Sequence, residues 1–271
     1  GYDMPANTPI LETKGITKYF PGVRALSNVD FRLFKGEIHA LMGQNGAGKS
    51  TLIKVLTGVH KPEAGSILLN GEEIRPSSPL HAQKLGISTV YQEINLCPNL
   101  TVAENIFIGR QPMKNGRIDW STMNRRAEAL LREKLNITID VTQLLSSYSL
   151  AIQQMTAIVR VLDLSSKVLI LDEPTSSLNE KEVELLFNVI RKLRADGLAI
   201  IFITHFLEQT YQLADRITVL KNGALVGEYQ TNSLPKIELI AKMVGKGLSE
   251  LSYYGGGEEI KQEKSVVPAD R

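Results

Sequence analysis

The chain has 271 residues, 43% hydrophobic and 22% charged, an ordinary composition for one or two globular domains with a substantial core. Its 31 Lys and Arg against 29 Asp and Glu leave a formal charge of +2 without long blocks of one sign, which argues against nucleic acid as a partner. The single cysteine, Cys97, excludes an internal disulfide and reads as a small buried hydrophobe, and neither an apolar run of about 18 residues nor an export-signal pattern is present.

Alternation over 10–17 and 29–34, followed by 66–69 and the Asn70-Gly71 turn, predicts short antiparallel strands. A short apolar strand over 37–42 and a helix over 51–57, stopped at Gly58, enclose the stretch Gly43-Gln44-Asn45-Gly46-Ala47-Gly48-Lys49-Ser50-Thr51. This fits the phosphate-loop pattern of Gly, four residues, Gly-Lys-Ser, in the strand-to-helix context the pattern requires. Glycines there let phosphate oxygens approach the main chain, whose amide hydrogens converge on the anion with the positive end of the helix. Lys49 supplies a charge to the β- and γ-phosphates, and the Ser50 hydroxyl suits Mg²⁺. The expected ligands are therefore a nucleoside triphosphate and Mg²⁺.

An apolar strand over 89–92 ends at Gln92, whose amide oxygen suits Mg²⁺ or an attacking water; standing alone it reads as an ordinary exposed glutamine. Residues 93–163 lack buried-strand runs and offer helical segments, including 122–135, which predicts a helical insertion. The continuously apolar 168–171 and 199–203 predict parallel strands covered on both faces, joined by a helix carrying Val183, Leu186, Ile190 and Leu193 and stopped at Gly197. Asp172 and Glu173 follow the first of these strands. At a strand tip Asp172 suits the Mg²⁺ shell and Glu173 the attacking water, although paired acids also serve as solvated punctuation. His205 follows the second strand, on the edge expected to carry Gly43 and Asp172, where an imidazole reaches a γ-phosphate; a lone histidine at a strand end is otherwise more often structural. A hairpin turn at Asn222-Gly223 and a helix over 235–244 close the fold, and the glycine-rich 251–271 reads as a linker or tail.

Phosphate loop, Gln92, Asp172-Glu173 and His205, in this order, resemble the nucleotide-binding domain of ABC transporters over about 11–245. The resemblance implies an α/β phosphate-loop NTPase core with a mostly parallel sheet, an antiparallel β subdomain and a helical insertion. It implies a tail over 1–9 and one domain over 10–250, with core 10–92 and 164–250 and helical subdomain 93–163. It assigns Gly43 to Thr51 and Phe20 to ATP, with Tyr19 competing for the adenine. Ser50, Gln92 and Asp172 are assigned to Mg²⁺, and Glu173, His205 and Lys49 to catalysis. Ser176-Ser177-Leu178-Asn179 is similar to the loop that crosses the dimer interface, with Asn179 in place of the usual Asp.

The chain departs from the family at its signature. Tyr148-Ser149-Leu150-Ala151-Ile152 stands where Leu-Ser-Gly-Gly-Gln is usual, so both glycines that permit close main-chain approach to a γ-phosphate are replaced. That one-sided pattern, with Phe20-Pro21-Gly22-Val23-Arg24-Ala25-Leu26 and Gln153-Gln154-Met155, resembles the amino-terminal half of tandem-domain carbohydrate importer ATPases, their galactofuranose branch most of all. The resemblance implies a peripheral ATPase at the cytoplasmic face of the cell membrane. Its partners would be a second nucleotide-binding domain, a permease and, indirectly, a sugar-binding protein. The alternatives are a regulatory module that binds ATP without hydrolysing it, or a non-transport ABC ATPase. The short interval between Gln92 and Ser149 leaves no room for the long coiled coil of the repair type.

Overall fold

A computed structural model describes residues 7–91, 96–164 and 166–247. β1 (Leu11–Phe20) turns at Pro21-Gly22 into β2 (Val23–Leu33), and β3 (Ile38–Met42) leads through the phosphate loop into α1 (Lys49–Leu56). β4 (Ala64–Leu69) and β5 (Glu72–Ile74) then form a hairpin across Asn70-Gly71, where Asn70 (φ 52°) and Gly71 (φ 78°) both take the left-handed conformation that such a tight turn needs. α2 (Pro79–Leu85), capped by the Ser78 hydroxyl, leads into β6 (Ile87–Val90).

The next segment contains α3 (Val102–Ile106), the small hairpin β7 (Met113–Lys114) and β8 (Arg117–Ile118), α4 (Trp120–Leu135) and α5 (Leu150–Leu162). β9 (Val168–Asp172), α6 (Glu180–Ala195) and β10 (Ala199–Ile203) form the expected strand, helix, strand unit. α7 (Leu207–Leu213), β11 (Arg216–Lys221), β12 (Ala224–Gln230) and α8 (Lys236–Val244) complete the described chain.

The strands make a four-stranded antiparallel sheet of order β2-β1-β4-β5 and a six-stranded sheet of order β12-β11-β3-β10-β9-β6. In the larger sheet β11, β3, β10, β9 and β6 run parallel and β12 is an antiparallel edge. Because successive strand residues face opposite ways, the sheet serves two cores. Ile38, Ala40, Met42, Leu169, Leu171, Ile200 and Phe202 pack with α4, α5 and α6. Leu41, Ile170, Ile201 and Ile203 pack instead with α1 and the antiparallel sheet. The segment predicted as a helical insertion thus has no separate core: Met123, Ala127, Leu131, Met155 and Ile158 belong to one cluster with Phe202.

Three sequence expectations need correction. β2 begins at Val23, not at 29, because Asn28 (φ 49°) and the register shifts along β1 break the alternation without ending the pairing. Cys97 is exposed. Its segment is a surface turn held by buried Asn105, whose Oδ1 accepts from the Cys97 N–H at 2.7 Å and whose Nδ2 donates to the carbonyls of Cys97 and Thr101 at 2.9 Å each. The helical segment also contains the β7–β8 hairpin, built on Asn115-Gly116.

Candidate functional site

The carboxyl ends of three adjacent parallel strands, β3, β10 and β9, open on one edge of the larger sheet, and this edge gathers the candidate residues. The phosphate loop leaves β3 at Gly43. A Cβ there would come within 2.6 Å of the Leu220 carbonyl oxygen and 2.7 Å of the Ala47 Cβ, so a residue with no side chain is what lets the loop pass β11. Gly48 caps α1 with φ 107° and brings no side-chain acceptor, leaving the first amide hydrogens of α1 open to an anion. Lys49 and Ser50 are the first two residues of that helix.

A groove of about 730 Å³ runs along the edge. Its walls are the loop from Gln44 to Thr51, Asp172 and Glu173 from the end of β9, and Phe20, Arg24 and Asn222 on the outer side. The groove includes Phe20 and not Tyr19, whose ring is engaged by the Arg24 guanidinium at 5.1 Å. Phe20 is 37% exposed, meets His60 nearly at right angles with ring centroids 5.0 Å apart, and has the Lys18 ammonium 5.2 Å from its ring centroid.

Burial pushes the Lys49 ammonium below its ordinary value while Glu173 and Asp172 pull it back, and burial followed by the charge of Glu173 raises Asp172 against the pull of Lys49. One cation thus faces two carboxylates in a partly desolvated groove, a charge set that a polyphosphate with a divalent cation would rebalance.

Glu173 has φ 49°, an unfavourable left-handed conformation for a residue with a side chain, fixed by its N–H donating to the Ile203 carbonyl at 2.8 Å. The bend turns the carboxylate off the strand direction, and its Oε2 lies 3.0 Å from His205 Nδ1. His205 is largely exposed and stacks on Phe206 with ring centroids 4.2 Å apart. The sequence-predicted phosphate loop, Phe20, Asp172, Glu173 and His205 therefore meet at one edge. Gln92 lies outside the described residues.

The degenerate signature forms a different structure from the groove. The Ser149 hydroxyl caps α5 by accepting from the Ile152 N–H at 3.4 Å, and the N–H of Ala151 donates to Glu182 Oε2 of α6 at 3.0 Å. Asn179 caps α6 in turn, its Oδ1 accepting from the Glu182 N–H at 2.9 Å. Two amide hydrogens at the head of α5, those of Ala151 and Ile152, are thus spent within the chain. Sequence reasoning missed Glu182, and Asn179 followed three residues later by an acid was the available signal.

The family model described as "ABC transporter" matches residues 26–176. The chain is 52% identical over 258 residues to the galactofuranose transporter ATP-binding protein YtfR of Escherichia coli strain K12, covering 95% of this chain and 51% of that protein. It is 47% identical over 268 residues to the fructose import ATP-binding protein FruK of Bifidobacterium longum, covering 99% and 52%. Among solved structures, the ADP conformation of MJ1267, an ATP-binding cassette of an ABC transporter, superposes with a TM-score of 0.76 at 26% identity, over 91% of this chain and 99% of that one. The chain spans about half the length of the curated relatives it matches.

Proposed function

The chain belongs to the ABC transporter family, and from that premise we propose that it is the first of two ATP-binding and hydrolysing cassettes that energise import of a sugar through a separate permease. The observation that carries the hydrolytic part is the 3.0 Å approach of His205 Nδ1 to the carboxylate of Glu173, beside the groove that holds Lys49. The sugar-import part rests on the galactofuranose and fructose relatives.

In this reading the adenine lies on Phe20, the phosphates take the amide hydrogens at the head of α1, and the Lys49 ammonium offsets charge on the β- and γ-oxygens. Asp172 and the Ser50 hydroxyl are hard oxygen donors, and so small a protein donor set suits Mg²⁺, which keeps waters and phosphate oxygens as its other ligands. The cation supplies charge neutralisation across the phosphates. Glu173 orients the attacking water, and His205 holds the Glu173 carboxylate and meets the γ-phosphate when two cassettes close. The second cassette contributes what α5 does not offer, because Ser149 and Glu182 take up the amide hydrogens of Ile152 and Ala151. Gln92, outside the described residues, would supply an amide oxygen to the Mg²⁺.

The permease docks on the helical subdomain, beside a second groove of about 680 Å³ between α2 and α5, which Leu80, Leu96, Ile108 and Ala157 line. No helix among the described residues is long and apolar enough to cross a membrane, which fits a peripheral subunit at the cytoplasmic face. Sugar selectivity belongs to the permease and an external binding protein.

In the full-length protein, Glu173→Gln keeps ATP binding and lowers turnover by at least about 100-fold. Turnover near the parent rate would overturn the assignment of Glu173.

A further inference from the structure

Gln154 lies on α5 and is 3% exposed, yet its Nε2 has no hydrogen-bond partner among the described residues. Glu173 Oε2 is also buried without an aligned hydrogen bond, despite the nearby imidazole of His205. The two residues line the same pocket of about 260 Å³, which Leu150, Gln153, Pro174, Ser176 and Leu178 also border. A buried amide is retained at a loss of stability unless its hydrogens find an acceptor, and an apolar side chain of equal length would pack here without that loss. A donor in excess and an acceptor in excess thus belong to side chains that border one small space, roomy enough for water at about 30 Å³ per molecule once the two groups turn toward it.

We propose that Gln154 is a positioning residue for Glu173, its amide hydrogens reaching the carboxylate through water held in this cavity. The proposal rests on the reading of Glu173 as the residue that orients the attacking water. The bend at Glu173 fixes where its side chain leaves the backbone and leaves the carboxylate free to rotate. His205 restrains that rotation from β10, and Gln154 restrains it from α5. Since α5 runs through the predicted helical subdomain and Glu173 ends a core strand, the restraint makes the orientation of the carboxylate depend on where α5 stands.

The test uses the full-length protein with Gln154→Met, which keeps the length of the side chain and removes the donor, Gln154→Asn, which keeps a shorter amide, and Glu173→Gln as the reference. The expected result for Gln154→Met is a kcat lower by on the order of 10-fold with KM for ATP unchanged. Its melting temperature is equal to or above the parent's, and Gln154→Asn restores part of the rate. A kcat within twofold of the parent, together with a raised melting temperature, would overturn the proposal by showing a core residue without influence on the chemistry. If Gln154→Met does not fold, Gln154→Asn decides on the same readouts. Turnover retained in Glu173→Gln would instead strike down the underlying assignment. Loss of turnover in Glu173→Gln with no effect in either Gln154 variant removes the Gln154 proposal alone.

Discussion

Replacing Arg216 by methionine tests what anchors the far end of β3, the strand that carries the phosphate loop. Arg216, 9% exposed, donates through Nε and Nη2 to the carboxylate of Glu37, through Nη2 to the Arg32 carbonyl, and pairs with Glu228. Glu37 also accepts the Phe34 N–H at 2.8 Å. Burial works to raise Glu37, but the imidazole of His39, 3.6 Å away, and the hydrogen-bonded guanidinium of Arg216 outweigh it and bring Glu37 from the 4.5 of a free glutamate to about 2. Burial in turn holds the fully enclosed His39 below its ordinary value, so near neutral pH the imidazole is uncharged and the opposing charge is that of Arg216. The depression of Glu37 corresponds to about 3 kcal/mol in favour of the folded carboxylate, at about 1.4 kcal/mol per pH unit. Because the folded value lies below the unfolded one, that contribution is complete above pH 4.5 and is lost as pH falls from 4.5 toward 2. Arg216→Met leaves Glu37 buried without its guanidinium and lowers unfolding stability at pH 7 by about 3–5 kcal/mol. Urea unfolding followed by circular dichroism at pH 7, 5 and 4 measures both effects. The variant has a flatter acid slope than the parent, and the double variant Glu37→Gln/Arg216→Met recovers part of the loss. A loss under about 1 kcal/mol with the parent's pH slope would refute the pairing as the source of the stability.

Gly43→Ala drives a methyl group to 2.6 Å from the Leu220 carbonyl oxygen. It lowers stability by about 1–3 kcal/mol, read as a drop in melting temperature, and weakens binding of a fluorescent ATP analogue. Phe20→Ala raises the dissociation constant for ATP by about 5- to 160-fold, the range set by base stacking worth about 1–3 kcal/mol. Phe20→Trp retains affinity, and Tyr19→Ala leaves titrations of the same analogue unchanged.

Residues whose function demands a local chemical pattern were legible in the sequence. The phosphate loop announces itself because a glycine-permitted turn must precede a helix, and Asp172 and His205 do so because the first ends, and the second closely follows, a strand apolar enough to be buried on both faces. Features made by contacts between distant segments were not legible. Nothing near Glu173 in the chain predicts φ 49°, since the bend is fixed by the Ile203 carbonyl of a neighbouring strand. Glu182 lies 31 residues from the amide it caps, and the Arg216–Glu37 pair spans 179. Cys97 was misjudged on the average habit of its residue type, because Asn105, which sets the path of that turn, shows no distinctive spacing from it.

The carboxylate of Glu182 at the head of α5 bears on self-recognition. Two identical copies meeting as closed cassettes would each turn that negative charge toward the triphosphate carried by the other, anion against anion at both composite sites. A mate whose corresponding helix begins with uncommitted amide hydrogens meets no such repulsion. In the proposed two-cassette arrangement, the 3.0 Å contact between α5 and α6 would favour a mate of different sequence over a second copy.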